Sequence, residues 1–149
     1  MKTLFNPSDC SEILTRINNL ASSSPGQWGK MNVAQMLTHL SRGFQSATGE
    51  IKLRRSFIGL LVGRIAKKKI LSDKPWGHNM PTDKGFVVVE QRNFDDEKTV
   101  LIELIQRFSK AGPDGVSKDP HPFFGPMTAE EWDRLMYNHL NHHLTQFGV

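Results

Sequence analysis

At 149 residues, with 38% hydrophobic and 23% charged residues, the chain is long enough for a core of its own, and we expect one domain over residues 1–149. Its single cysteine, Cys10, excludes an intramolecular disulfide and a zinc site built from several cysteines, a usage typical of a reducing, cytoplasmic location. The net charge of +4 is local, because the stretch Ile51–Ile70 holds seven lysines and arginines and no acid.

The first 50 residues predict two helices. The letters PSD at residues 7–9 are a helix-start signature, and apolar residues recur at helical spacing, so the first helix is expected over Pro7–Leu20. The loop Ala21–Met31 carries Trp28, whose ring suits packing or the wall of a pocket. Asn32 can cap a second helix that ends near residue 48 and carries His39 about two turns from its start.

The basic segment Ile51–Ile70 predicts a short helix with a possible kink at its two glycines. Its apolar residues can pack on the domain, on a second subunit or on a membrane surface. No helix-turn-helix or similar groove-reading module is recognisable, so we expect no nucleic-acid partner. The longest apolar run, Phe57–Val62, is flanked by arginines, and the N-terminal ten residues have no apolar signal-peptide core, so no membrane span or signal peptide is predicted.

A long connection, Leu71–Arg92, follows this segment. It is punctuated by prolines and glycines, carries Trp76 and His78, and contains an apolar run of strand type, Phe86–Val89. Another helix is predicted over Asn93–Ala111, and a rigid aromatic loop with the letters HPFFGP precedes the last helix. Four long helices, with a long crossover and a short extra helix between the second and third, predict an all-α four-helix bundle.

The last helix, Thr128–Val149, begins with a capping box formed by Thr128 and Glu131. Its apolar stripe, about 120° wide on a helical wheel, also contains His139 and His143. A buried histidine needs a partner for its ring nitrogens, which can be a hydrogen bond in the core or a metal ion. Residues four apart lie one above the other on a helix, so these two imidazoles can reach one ion.

The motifs WGKMNVAQMLTHL and HLNHHLTQF together resemble the DinB-like (YfiT-like) superfamily of four-helix bundles. The tail HPFFGPMTAEEWDRLMYNHLNHHLTQFG is similar to a subgroup known only as a domain of unknown function. In that superfamily one histidine of the second helix and two of the fourth bind a divalent metal, and the resemblance implies His39, His139 and His143 here. The resemblance covers essentially the whole chain.

The resemblance also implies a range of activities. Characterised relatives are thiol-dependent enzymes, among them transferases that use bacillithiol or mycothiol and a maleylpyruvate isomerase. Relatives are often dimers, and the apolar residues of the segment Phe57–Ile65 offer a surface for a homodimer. Many members read His-His-Arg-Gly-Gln around the last ligand, whereas this chain has Leu144 and Thr145 in place of Arg-Gly and keeps Gln146.

Three neutral imidazoles would leave at least one coordination position of the ion open, and zinc, nickel and iron all suit imidazole ligands. The first hypothesis is therefore a metal-dependent enzyme, a thiol transferase or a hydrolase that acts on a small molecule, with a low-molecular-weight thiol as a further cofactor. The second is a non-catalytic metal- or ligand-binding module. His142 lies about 60° and Gln146 about 20° from His139 around the helix, so both can orient the ligands or the substrate. For His142, a half-exposed position on the surface without such a role is expected equally.

Helix direction predicts where the site opens. His39 lies about 10 Å from the start of its helix, and His139 and His143 lie about 6–12 Å from the end of theirs, so the depths match if the two helices are antiparallel. The site then lies at the end that carries the loop Ala21–Met31 and the connection Leu71–Arg92. Trp28, Trp76 and His78 are expected at its mouth, and His121 and Phe123 of the HPFFGP loop at the opposite end, in structural roles.

Overall fold

The computed structural model describes residues 2–149, whose regular structure is helical. The five α-helices are α1 (Pro7–Asn18), α2 (Val33–Ala47), α3 (Phe57–Ile70), α4 (Phe94–Ala111) and α5 (Ala129–Gln146). Two 3₁₀ turns, Lys84–Phe86 and Gly112–Gly115, lie on either side of α4. No β-strand occurs within residues 2–149, where the one β-type pairing is an isolated bridge between His121 and Gly125. The prediction of an all-α fold is confirmed.

Side-chain caps fix the starts of the helices. The Asn32 side chain accepts a hydrogen bond from the Gln35 backbone and completes a capping box at the start of α2, and Thr128 does the same with Glu131 at α5. The Asn6 side chain caps α1, which ends at Asn18, two residues before the predicted end. Each cap satisfies backbone N–H groups that have no partner inside the helix.

The core lies between four of the helices. α2 packs against α4 and α5, and α1 packs against the same two helices. The side chains that meet there are 0–1% exposed: Ile13, Ile17, Met36, Leu37, Leu40, Phe44, Leu101, Ile105, Phe108, Leu140 and Leu144. At the start of the chain, Asp133 of α5 accepts a hydrogen bond from the backbone N–H of Leu4 at 2.8 Å. These contacts bury the apolar stripes that the sequence placed on each helix.

The helix α3 is attached differently. Its buried residues are Gly59, Gly63 and Ile70, and the two glycines lie directly on the backbone of Phe123. Lys67 binds Glu131 of α5 at 2.8 Å. The outer face exposes five large apolar side chains by 57–75%: Phe57, Ile58, Leu60, Leu61 and Ile65. Within residues 2–149, no helix is both long and apolar enough to cross a membrane.

The apolar run Phe86–Val89 has the composition of a strand but does not form one. The residues Lys84–Phe86 form a 3₁₀ turn, and Val87 and Val89 are 47% and 78% exposed. In a sheet, the backbone carbonyl groups of this run would accept hydrogen bonds from a partner strand. Here they accept them from side chains of α2: the carbonyl of Phe86 from the His39 ring at 2.9 Å, and the carbonyl of Val87 from Arg42 at 2.8 Å. Side chains of α2 therefore hold this part of the crossover in place.

Candidate metal centre

Three histidines from two helices meet at one side of the core. His39 comes from α2, and His139 and His143 come from α5. One ring nitrogen of each lies within 4.8 Å of the corresponding nitrogens of the other two. The structure therefore brings together the three residues that the sequence singled out, because α2 and α5 pack against each other and the i, i+4 spacing aligns the pair on α5.

The hydrogen bond of His39 sets its tautomer. Its Nδ1 lies 2.9 Å from the carbonyl oxygen of Phe86, which can only accept, so Nδ1 carries the proton. In the neutral ring, Nε2 then presents a lone pair, and it lies 2.8 Å from Nε2 of His139. Two lone pairs at this distance would repel each other, so either a proton on His139 or a cation must lie between the two nitrogens.

A second hydrogen-bond relay sets the tautomer of His143. Gln146 donates from Nε2 to the carbonyl oxygen of Trp28, which directs its Oε1 toward His143. The Nδ1 of His143 lies 2.7 Å from that oxygen and must donate, so Nε2 is left as the acceptor. The close approach of the loop requires Gly29, which has φ +82° and where a Cβ would lie 2.6 Å from the Gln146 amide nitrogen.

These contacts fit a bound divalent cation. A metal-binding histidine commonly donates its second ring N–H to a carbonyl or a carboxylate, which fixes the ring orientation. His39 and His143 both donate in this way. Burial is the main cause that lowers the pKa of each cluster histidine, to about 3 for His143 and well below the usual value for His139. All three rings are therefore neutral at pH 7, the form that binds metal.

The cluster forms part of the wall of a cavity of about 670 Å³. The volume lies in the range of small-molecule binding sites. α5 supplies Trp132, Leu135 and Met136 to the wall, and α3 supplies Ala66 and Ile70. The crossover between α2 and α4 closes another side with Trp76, Met80 and Phe86. Any open coordination position at the cluster would therefore face a largely apolar chamber.

Comparison with known proteins assigns the family. A family model described as "Protein of unknown function (DUF1569)" matches residues 4–148. The chain belongs to this family. The DUF1569 match spans all five helices and includes the three clustered histidines. No curated protein and no solved structure matches the chain.

The other residues predicted for the site of this DUF1569 protein take different places. Trp76, His142 and Gln146 all line the main cavity, with the Trp76 ring stacked 5.8 Å from the ring of His139. Burial lowers the pKa of His142, which is half-buried. His78 is exposed, stacks on Trp28 at 3.8 Å and lines a smaller neighbouring cavity of about 150 Å³. His78 therefore lies outside the wall that contains the cluster.

The HPFFGP loop lies before the start of α5, and the cavity extends to it. His121 and Phe123 were expected at the end away from the site, yet both line the same cavity as the three histidines. The cavity runs along α5 from the level of Trp132 to that of Gln146, so it reaches the loop that enters the helix. His121 does pack structurally, with its ring 4.5 Å from that of Phe124 and 5.1 Å from that of Trp132. It is not a member of the metal-ligand cluster.

Sequence reasoning missed the two backbone acceptors of the site, the carbonyl groups of Phe86 and Trp28. A carbonyl group is present at every residue, so no residue type could indicate them. For the carbonyl of Trp28, the one available signal was the glycine at position 29, because a glycine with a positive φ allows a loop to approach a side chain closely.

Proposed function

We propose that this DUF1569 protein is a divalent-metal-dependent enzyme that acts on a small molecule, with His39, His139 and His143 as the metal ligands. The observation that carries the proposal is the convergence of three neutral imidazoles on the wall of a 670 Å³ cavity. A structural zinc site normally has four protein ligands, whereas a catalytic site has three and an open position. Among residues 2–149, no carboxylate or thiol joins the cluster as a fourth ligand.

We propose one of two reactions: transfer of a low-molecular-weight thiol to a small molecule, or hydrolysis of a small molecule. The metal we propose is zinc, nickel or iron. When bound, such an ion lowers the pKa of a water or thiol ligand and so supplies a nucleophile at neutral pH. The residues of the chain hold the site in shape: Phe86 orients His39, and Gln146 orients His143. Trp76 and His142, which line the cavity beside His139, are proposed to contact the substrate.

We further propose that the fold is the four-helix bundle of the DinB-like superfamily. The packing of α1, α2, α4 and α5 around one core supports this, and α3 then belongs to the crossover between α2 and α4. The resemblance noted in the two histidine-bearing motifs supports the same assignment. A solved structure of the chain with its metal would test it directly.

The alternative function is a non-catalytic module that binds a metal and a ligand. The composition of the cavity wall favours it, because the wall is largely apolar and Asp83 is its one carboxylate. A general acid or base other than histidine is therefore scarce near the cluster. The two functions differ in whether bound metal is accompanied by turnover.

The metal site is tested first, by the metal content of protein purified without added metal. We expect His39→Ala, His139→Ala and His143→Ala each to abolish tight binding, because each removes one of three ligands. The control variants His78→Ala and His121→Ala should keep the wild-type stoichiometry, since neither residue belongs to the cluster. Stoichiometric metal in the His39 variant would refute the ligand assignment.

Activity is tested next, with metal-loaded and chelated protein side by side. Conjugation of a low-molecular-weight thiol to electrophilic small molecules, and hydrolysis of activated esters and amides, should be metal-dependent and should be lost in His143→Ala. Stoichiometric metal without any metal-dependent turnover would favour the binding module.

We also propose that the protein forms a homodimer through the outer face of α3. The five exposed apolar side chains of that helix support the proposal, because monomers rarely expose a large contiguous apolar patch.

A further inference from the structure

Two neighbouring side chains of the cavity wall have a ring N–H without a hydrogen-bond partner in the described part of the chain: Trp132, whose Nε1 is buried, and His121. His121 is 9% exposed and lines the cavity. Its Nδ1 accepts hydrogen bonds from the backbone N–H groups of Phe123 at 3.0 Å and Phe124 at 3.1 Å. The proton of the neutral ring must therefore be on Nε2. No residue in the described part of the chain accepts a hydrogen bond from that nitrogen, which is accessible from the cavity and so open to a ligand.

The side of the wall that α5 forms between His121 and the three-histidine cluster is apolar. Trp132, against which His121 packs, and His139 are seven residues apart on α5, which corresponds to about 10 Å along the helix. Leu135 and Met136 line the cavity between them. A molecule that reached both ends would thus contact apolar side chains along this part of α5.

The charged residues of the cavity wall are found at its rim. They are Lys30, Lys69 and Asp83, and all three are exposed. Burial lowers the pKa of His121 to about 4, so the donor itself is uncharged at neutral pH. Inside the cavity no fixed cation is available to offset the cost of burying an anionic group.

We infer that the cavity binds an elongated, uncharged and mainly apolar molecule whose far end carries a carbonyl or ether oxygen, which accepts a hydrogen bond from Nε2 of His121. The other end of the molecule reaches the three-histidine cluster. That this molecule is a substrate rests on the proposed function. His121 is then a specificity residue that recognises the end of the molecule opposite the reacting group.

The test uses three probes of similar shape: 2-acetylnaphthalene, 2-ethylnaphthalene and 2-naphthoate. The first carries a neutral acceptor, the second has none, and the third is an anion. Affinities are measured by calorimetry on metal-free protein, so that the outcome does not depend on a metal. The variants are His121→Phe, which removes the donor and keeps the ring, and His121→Asn, whose side-chain oxygen can still accept from the loop backbone. His78→Phe is the matched control, because His78 is exposed and lies outside this cavity.

We expect wild-type protein and His78→Phe to bind the ketone several-fold more tightly than the hydrocarbon, and to bind the anion most weakly. Both His121 variants should bind the ketone about fivefold more weakly, the usual size of one neutral hydrogen bond, and the hydrocarbon with unchanged affinity. Equal binding of ketone and hydrocarbon by wild-type protein would overturn the inference. So would an equal loss of both probes in His121→Asn.

A measurement on wild-type protein makes the result independent of how the variants fold. The carbonyl stretch of bound 2-acetylnaphthalene should move to lower frequency than in an apolar solvent, and an unshifted band would overturn the inference. Metal content is measured separately. Absence of metal from wild-type protein would refute the proposed metalloenzyme. The inference about His121 would still be decided by the binding of the ketone and the hydrocarbon.

Discussion

Gln146 is the residue that links the first loop of the chain to the metal centre. Its amide donates to the carbonyl of Trp28 and accepts from His143, so it holds the imidazole in the tautomer with a free Nε2. We predict that Gln146→Ala weakens metal binding by about 10- to 100-fold, the usual effect of removing a hydrogen-bond partner of a ligand. Competition titration with a chromophoric chelator measures this. Gln106→Ala, on the exposed face of α4, should not change the affinity. An unchanged affinity in Gln146→Ala would mean that the relay does not support the metal.

His121 predicts a specific pH dependence of stability. Its pKa falls from 6.5 to about 4 on folding because the ring is buried. Between these values the unfolded chain binds the proton and the folded chain does not, so stability is lost as the pH falls from 6.5 toward 4. One such group changes the free energy of unfolding by up to about 1.4 kcal/mol per pH unit in this range. Urea unfolding of His121→Asn should therefore show a flatter pH profile than wild-type protein between pH 4 and 6.5. Parallel profiles would contradict the lowered pKa.

The histidines differ in how well their positions could be predicted from the sequence. His139 and His143 share a helix face, and a third histidine on a helix that packs against it completes a recognisable set. The contact of His121 with the cavity could not be predicted, because it depends on the path of the loop before α5, where a bridge joins His121 and Gly125. No periodic pattern describes such a loop. His78 was expected at the mouth of the site, but it is exposed, stacks on Trp28 and lines the smaller neighbouring cavity.

At the scale of elements, α3 depends on its two glycines. A Cβ at Gly63 would lie 2.2 Å from the carbonyl oxygen of Phe123, so Gly63→Ala must push the helix away from the loop. We predict a loss of about 1–3 kcal/mol in the free energy of unfolding, the usual cost of overpacking, and faster hydrogen exchange in α3. Gly77→Ala is the matched control, since nothing lies within 4 Å of its Cβ position. It should be neutral or slightly stabilising. Equal stabilities of the two variants would show that α3 does not rest on this contact.

Helices that carry their own start signals were predicted well, whereas the crossover was not. Asn32, Thr128 and the residues around Pro7 cap helices as expected, because capping is a local interaction between residues close in sequence. The run Phe86–Val89 has strand-type composition, but a strand needs a partner, and none is present among residues 2–149. The outcome there was decided by His39 and Arg42, which are distant in sequence.

At the scale of the whole molecule, the outer face of α3 predicts the oligomeric state. Leu61 is 72% exposed at the centre of that face. If the face joins two copies, Leu61→Glu should place a charge in the interface of each and convert a dimer to a monomer, measured by sedimentation equilibrium. Glu103→Ala, an exposed change on α4, should leave the mass unchanged. A wild-type protein that sediments as a monomer at high micromolar concentration would refute the dimer.

The cavity is the property of the whole molecule that the sequence could not predict. Its wall combines residues of α2, α3 and α5, the crossover and the loop before α5. Most of these side chains are ordinary apolar residues, which on a helical wheel cannot be told from residues of a filled core. Whether these side chains fill the space between the helices or leave a cavity depends on the distance between the helices. The backbone of the loop that contacts α3 contributes to that distance.

The contact between α3 and the loop has a consequence for changing what the cavity accepts. The atoms nearest to Gly59 and Gly63 are the carbonyl oxygen, the carbonyl carbon and the α-carbons of Phe123 and Phe124, not their side chains. Because α3 rests on main-chain atoms that every amino acid provides, the Phe123 side chain is free to vary without removing the support of the helix. Phe123 lines the cavity, so saturation mutagenesis there is a route to a set of proteins with the same scaffold and different ligand preferences.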